Sequence, residues 1–376
     1  MRITGLDVIV VKVNHRGDWL HVRLTTDEGV TGIGEASHGG HGPHRDVIVA
    51  AVLREQCAPR LIGKDPCAVQ ARIQELAGLM EGLPATTAVS ACEQALWDLA
   101  GKAAGLPVYR LLGGPCRERV PLYANINRSV VSRTPEEFAR NAAAAVSEGF
   151  AAVKLAPFDG MNRRRVRDRD QRERIAHGLA CVGAVRDAVG PGVEVYVDCH
   201  SHFDVPTAVE VARELRNSGV TWFEEPVPTE DLDALVRLRP LVGDMELIGG
   251  EQLAGVAGFW PYLAAGVWEC AMPDVKHCGG IWAAVAIAEA CAARGVAVAP
   301  HNPSGPVAHA ASVHVAAAIP HLRWLEYAWG EVPWRGDLVT PAERIEGGAY
   351  VLSDAPGLGV ELDQSAVGGR QSAEKG

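Results

Sequence analysis

Apolar and polar residues alternate in "VEVYVDCH" (193–200), where Val193, Val195 and Val197 are separated by Glu194 and Tyr196. A period of two in β-branched and aromatic residues predicts a strand. Seven further segments after residue 115 read the same way: 120–127, 151–157, 221–227, 246–253, 269–276, 296–303 and 323–330. Alanine-rich stretches of helical spacing lie between them. In "TPEEFARNAAAAVSEG" Thr134 and Glu137 have the spacing of a capping box, Pro135 takes the first helical position and Gly149 closes the end. Strands alternating with helices pair in parallel through right-handed crossovers, and eight such units fit a (β/α)8 TIM barrel. A doubly wound open sheet is the alternative architecture.

Before residue 115 the pattern differs. "ITGLDVIVVKV", "WLHVRLTTDEG" and "VTGIGEAS" read as a three-stranded meander, with Asp27-Glu28-Gly29 at the second turn, and helical patterns run from Asp46 to Leu112. This makes an α+β domain over 1–115, separated by the Gly-Gly-Pro of "LLGGPCRERV" from a barrel over 116–332. The segment 333–376 is expected to return to the first domain, and its end, "QSAVGGRQSAEKG", to be disordered.

Composition narrows the function. A chain of 376 residues, 48% hydrophobic and 22% charged, builds a sizeable core and about two domains. No segment approaches the roughly 20 apolar residues of a membrane span, and the N-terminus lacks a cleavage-site pattern, so a soluble, cytoplasmic protein is expected. Nine scattered cysteines without zinc-ligand spacing read as reduced thiols. A formal charge of −10 argues against sequence-independent nucleic-acid binding, yet it leaves room for an acidic substrate at a local cationic centre.

In a barrel of this kind the C-terminal ends of the strands form the active-site mouth. Asp198, Glu224 and Glu251 belong to three consecutive strand units, so three carboxylates converge there. Such a cluster repels itself unless it holds a cation, and an all-oxygen donor set suits Mg²⁺ better than zinc. The sixth strand ends near Asp274, the seventh at His301, and the eighth carries Glu326. An aspartate beside a histidine fixes its tautomer and raises its basicity, making His301 a candidate general base oriented by Asp274. Lys154 ends the second strand, and His200, two residues after Asp198, is expected to share its face on an extended strand. His202, His277 and His321 are read as structural histidines.

"ACEQALWDLAGKAAGLPVYRLLGG" (91–114), "VDCH", "FEEP", "GGEQ", "PDVKHCGG" and "APHNPSGP" together resemble the enolase superfamily, in its mandelate racemase/muconate lactonizing enzyme-like branch. The resemblance covers nearly the whole chain and implies an N-terminal capping domain on the barrel. It makes Asp198, Glu224 and Glu251 Mg²⁺ ligands, His301 and Asp274 a dyad, and Glu326 a hydrogen-bonding partner of a substrate carboxylate oxygen. The Asp-x-His of "DCH" and the "PHNPSGP" strand end are most similar to acid-sugar dehydratases of the D-galactonate dehydratase type, in which the residue at His200 protonates the leaving hydroxyl. Family members of the racemase type carry Lys-x-Lys on the second strand; here it reads Lys154-Leu155-Ala156, without the second lysine. The family implies a homo-oligomer, an octamer or a dimer.

These residues imply abstraction of the proton next to a carboxylate by His301, and loss of the β-hydroxyl with a proton from His200, giving a 2-keto-3-deoxy acid. The substrate is then a small carboxylate, an aldonic or aldaric acid. The alternative is a racemase or epimerase of a 2-hydroxy or 2-amino acid, with His200 or Lys154 as opposite-face base; a noncatalytic acid-binding protein is disfavoured by the intact triad. Specificity is expected from "NHRGDW" (14–19) and "ASHGGHGPH" (36–44) as mobile lids, with Arg16 and Asn302 touching substrate. The seven arginines of 157–177 are read as a solvated helix face beside the site.

Overall fold

The computed structural model describes residues 1–40, 42 and 44–370. The first three strands, β1 (Ile3–Asn14), β2 (Gly17–Thr26) and β3 (Thr31–Glu35), form the expected antiparallel meander. Helices α1 (Arg45–Ala51), α2 (Ala58–Leu61), α3 (Val69–Leu76) and α4 (Leu83–Ala104) follow, and α5 (Val108–Leu111) leads to the linker. Leu20, Val22 and Leu24 of the sheet share a core with Val89, Leu96 and Leu99 of α4. The helix lies so close to β3 that a Cβ on Gly32 would come within 2.3 Å of the Ala95 carbonyl oxygen, and one on Gly34 within 2.1 Å of that of Ala91. Only glycine permits that approach.

Eight parallel strands make the barrel: β4 (Arg119–Asn125), β5 (Ala152–Leu155), β6 (Glu194–Asp198), β7 (Trp222–Glu224), β8 (Glu246–Gly249), β9 (Cys270–Ala271), β10 (Ala297–Val298) and β11 (Leu325–Tyr327). Each overlaps a segment read from the sequence as a strand, β4 beginning one residue earlier, at Arg119. Neighbours pair in order from β4 to β10, and β11 pairs with β4, which closes the barrel and excludes the open sheet. The β10/β11 seam is narrow, held by a bridge between Val298 and Leu322 and a 2.8 Å bond from Arg323 N to Val298 O. Most observed strands are shorter than their predicted segments, because the C-terminal parts of those segments leave the ladder to form the mouth. Asp274, expected near the end of a strand, sits three residues past β9.

Helices α6 (Pro135–Ser147), α7 (Arg169–Val189), α8 (Val205–Asn217), α9 (Leu232–Leu238), α10 (Gly255–Ala265), α11 (Ile281–Ala292) and α12 (Pro306–Ala318) clothe the barrel. After β11 the described residues turn through a 3₁₀ segment at Arg335–Leu338 in place of an eighth helix. Half of the capping box of α6 forms: Thr134 Oγ1 accepts from Glu137 N at 3.3 Å. The Glu137 carboxylate instead accepts from Val131 N, Arg133 N and the Ser132 hydroxyl, tying down the loop before the helix. Inside the barrel Tyr123, Tyr196 and Trp222 fill one layer, the last two stacked with centroids 4.3 Å apart.

The chain then returns to the first domain. β12 (Val339–Thr340), β13 (Ile345–Glu346), β14 (Ala349–Val351) and β15 (Glu361–Leu362) form short ladders, and β14 pairs with the start of β4. Leu358 N donates to Asp98 Oδ1 of α4 at 2.8 Å, and Lys12 N to Arg370 O at 2.9 Å. The expected disorder of 364–376 is corrected at its start: Gln364–Gly368 form α13, whose first turn donates to Asp363 Oδ1 from Ser365 N and Ala366 N. Residues 371–376 lie outside the described residues.

Two buried carboxylates dock the first domain on the barrel. Glu93 of α4 accepts from Ile281 N (2.6 Å) and Trp282 N (2.9 Å) at the start of α11, and Glu35 of β3 accepts from Gly305 N and Ala308 N (2.8 Å each) at the start of α12. Helix N-termini leave free N–H groups and favour negative charge. In a parallel barrel those termini face the mouth, so the contacts seat the first domain over it. All nine cysteines are free thiols, seven of them buried. Among the described residues no helix is long and apolar enough to cross a membrane.

Candidate active site

Asp198 is the last residue of β6, Glu224 the last of β7, and Glu251 lies two residues past β8. The three are buried, and each offers a carboxylate oxygen within 4.8 Å of the others. Burial pushes the Glu224 carboxyl up to about 8; Lys154 opposes this, while Asp198, Glu326 and Glu251 add to it. Glu251 Oε2 is buried without a hydrogen bond, although His301 Nε2 lies 3.1 Å away. Lys154 is the cation among these acids, with Nζ 2.7 Å from Glu224 Oε1 and 3.0 Å from Glu326 Oε1. Four carboxylates crowd around this one lysine, and their mutual repulsion adds to burial in lifting Glu224. A convergent set of hard oxygen donors under that repulsion fits a divalent cation.

His301 follows β10 at one side of the cluster. Its Nδ1 is 2.8 Å from Asp274 Oδ2, so the expected pair forms. Burial lowers the imidazole pKa, but Glu251, Glu326 and Asp274 outweigh it and raise it to about 9. Asp274 also accepts from Lys276 N (2.7 Å) and from the buried Lys276 ammonium. Burial opposes its ionisation, yet Lys276, His277 and His301 hold it well below the usual carboxylate range.

His200 stands at the other side, against Asp198. The strand ends before it: His200 and Ser201 have φ of +44° and +60°, a left-handed turn that brings the ring back over Asp198. The two residues meet as expected, through that turn and not through alternation along an extended strand. His200 Nε2 is 2.9 Å from Asp198 Oδ2, and Nδ1 is 2.5 Å from Asp159 Oδ1. Partial desolvation pulls its pKa down, but the two aspartates lift it well above the ordinary value, although the side chain is 39% exposed.

Glu326 on β11 accepts from Asn125 Nδ2 (2.6 Å), Asn302 N (2.8 Å) and Lys154. Burial favours its neutral form, but Lys154 and His301 outweigh burial and keep its pKa low, which makes it an acceptor. Asn302 is buried and also donates from Nδ2 to Glu326 O, so it braces Glu326. Arg16 lies at the tip of the β1/β2 hairpin, where Asn14 pairs with Gly17. The 14–19 segment is a tight turn with the buried Trp19 at its base, whose ring centroid lies 5.4 Å from that of Trp334. In 36–44 Ser37 is buried on Glu35 and His38 sits between Ser304 and Arg128; His41 and Pro43 lie outside the described residues.

The histidines read as structural separate. His277 is buried on the Thr87 hydroxyl (2.9 Å) and lowered to about 3 by burial, and His321 bonds Ala288 O. His202 falls beside the site, grouped with Asp159 and His200. Sequence reasoning missed Asp159, Lys276 and Asn125. Lys276 had a signal, since it follows Asp274 by two residues; Asp159 had none, because its partner His200 is 41 residues away and meets it only in the fold. The Arg-rich segment behaves as a solvated face, with Arg165 on Asp168 and Arg167 on Asp204.

Similarity to known proteins covers both domains. Residues 8–113 match the mandelate racemase / muconate lactonizing enzyme N-terminal domain, and residues 137–366 match the enolase C-terminal domain-like family. The chain is 32% identical over 369 residues to a D-xylonate dehydratase of Haloferax volcanii, across 96% of this chain and 87% of that protein. It is 32% identical over 362 residues to a D-galactonate dehydratase of Verminephrobacter eiseniae, across 93% and 90%. A solved mandelate racemase/muconate lactonizing enzyme from Jannaschia sp. CCS1 superposes with a TM-score of 0.85 at 29% identity, across 100% of this chain and 99% of that one. With both domains matched and the fold shared end to end, the chain belongs to the mandelate racemase/muconate lactonizing enzyme family of the enolase superfamily.

Proposed function

We propose that the protein is a Mg²⁺-dependent dehydratase of an acid sugar, converting it to a 2-keto-3-deoxy acid. The observation that carries this is the pair of histidines at opposite sides of the carboxylate cluster, each with its own aspartate: His301 on Asp274 beside Glu251, and His200 on Asp159 beside Asp198. The dehydratase names of the relatives support the reaction class.

Asp198, Glu224 and Glu251 would hold the cation. When bound, it neutralises the cluster, lowers the field that raises His301, and stabilises the second negative charge that develops on the substrate carboxylate. His301, with Nδ1–H donated to Asp274, takes the α-proton at Nε2. Asp274 stays ionised throughout, because Lys276 and His301 both favour its charge. His200, cationic between two aspartates, gives a proton to the β-hydroxyl, which leaves as water. The enol left behind ketonises by taking a proton at carbon 3. Lys154 donates toward the carboxylate end of the substrate, and Glu326, an acceptor, holds Lys154 and receives a hydrogen bond from a substrate hydroxyl.

Racemisation is the competing reaction. Lys154 is buried on two carboxylates that keep it charged, which disfavours it as a base and leaves only His200 for the opposite face. The test is a library of aldonic and aldaric acids with Mg²⁺, read by 2-keto acid formation. If no acid sugar reacts and a smaller α-substituted acid exchanges its α-proton with solvent deuterium, dehydration is wrong and epimerisation is right.

A further inference from the structure

We propose that the substrate carries a second anionic group at the end remote from the reacting carboxylate, and that Arg16 reads it together with Arg128 and Arg133. This rests on the acid-sugar dehydratase reading and narrows it to aldaric acids or phosphorylated aldonic acids.

The three guanidinium groups come from separate parts of the chain. Arg16 projects from the first domain onto the barrel, with Nη2 3.5 Å from Val130 O, and Arg45 Nη2 fixes the turn by donating to Arg16 O at 2.7 Å. Arg128 lies just past β4 and pairs with Glu331, beyond β11 (Nε–Oε1 3.0 Å). Arg133 pairs with Asp159, beyond β5, at 3.0 Å and donates to Asn127 Oδ1 at 3.0 Å. All of these barrel residues follow C-terminal strand ends, so the group rims the mouth.

Its charges do not balance. Arg128 has Glu331 and Arg133 has Asp159, which is shared with His200. Arg16 has no carboxylate within ion-pair distance among the described residues, and its Nε is buried without a hydrogen-bond partner. Burial and the charges of Arg128 and Arg133 disfavour its cationic form, and Asp159 and Glu331, each already paired with another arginine, offset this only in part, so an incoming anion favours it. A neutral hydroxymethyl end does not; a carboxylate or phosphate does, in the planar two-point geometry guanidinium prefers.

The direction fits the mechanism. A substrate with its carboxylate at the cluster, its α-carbon toward His301 and its β-hydroxyl at His200 runs onward past His200. Asp159 links His200 to Arg133, and Asn127 lies 3.4 Å from Asp159, so the cationic rim begins where the acid stands.

The experiment compares matched pairs with Mg²⁺ present: an aldonic acid, the aldaric acid of the same configuration, and the aldonic acid phosphorylated at its far end. The expected kcat/KM is about 10- to 100-fold higher for one or both dianions, the scale of a buried charge-assisted contact. The faster of the two assigns the rim to carboxylate or to phosphate. Arg16→Gln should lower the dianion-to-monoanion ratio by a similar factor, mainly through KM, and Arg16→Lys should fall between. Equal or better turnover of the aldonic acids overturns the inference and leaves the dehydratase reading standing. So does Arg16→Gln lowering both classes equally, which marks a pin between domains. If no acid sugar is dehydrated, the dehydratase reading falls and takes the inference with it. The wild-type comparison stands even if Arg16→Gln does not fold.

Discussion

Replacing Lys154 by methionine tests the electrostatics of the whole centre. The side chain is 2% exposed, and its two carboxylate partners, Glu224 and Glu326, are fully buried. Methionine matches its volume closely, so packing changes little. What disappears is the countercharge of two buried acids, and breaking a buried pair on one side costs about 3–5 kcal/mol. At about 2–4 °C per kcal/mol for a domain of this size, the melting midpoint in chelator should fall by about 6–20 °C. Added Mg²⁺ should then raise the variant's midpoint more than the wild type's, because the dication becomes the remaining countercharge. Thermal unfolding followed by circular dichroism, with chelator and with Mg²⁺, measures both. A variant that melts within about 2 °C of wild type in chelator, or that gains no more from Mg²⁺, refutes the account of Lys154 as the charge balance of the site.

Chelation should abolish dehydration and Mg²⁺ restore it, and Glu224→Gln should weaken metal binding in calorimetry while the far-ultraviolet spectrum stays that of a folded barrel; full activity in metal-free enzyme sinks the mechanism. His301→Asn should lose both dehydration and α-proton exchange by about 10²–10⁴-fold, whereas His200→Asn loses dehydration and keeps exchange through His301. The opposite pattern swaps their roles. Glu93 supplies a pH test: burial pushes its carboxyl up to about 7, against the pull of Trp282 N, Ile281 N and Trp97. An acid raised on folding adds stability that is complete below its ordinary pKa near 4.5 and is lost as pH rises through 7, about 3 kcal/mol in all. The Tm of Glu93→Gln should therefore fall less than the wild type's between pH 5 and 8, and parallel curves would falsify the assignment.

The barrel was legible because parallel strands buried on both faces must be apolar and their helices must announce their ends, as at Thr134-Pro135 and Gly149. The same periodicity overran the strand ends, at Asp274 for instance, because residues that turn into the mouth continue the apolar run until the backbone leaves the ladder. Asp198, Glu224 and Glu251 were readable as a cluster from their spacing alone: one carboxylate per strand unit can only converge at one end of a closed sheet. Asp274 and His301 followed from adjacent strands by the same logic. Local sequence therefore determined the elements, their order and every residue whose position depends on strand number. What the tertiary structure decided were the partners brought together by loops and by the first domain. His200 reaches Asp159 through its own left-handed turn, Lys276 shares Asp274 with His301, and Arg16 of the first domain lies against the Val130 carbonyl, in the loop that carries Arg128 and Arg133. A loop's path is set by packing against distant parts of the chain and not by its own periodicity, so the charges it carries find their neighbours only after the barrel has closed and Glu35 and Glu93 have seated the first domain upon it.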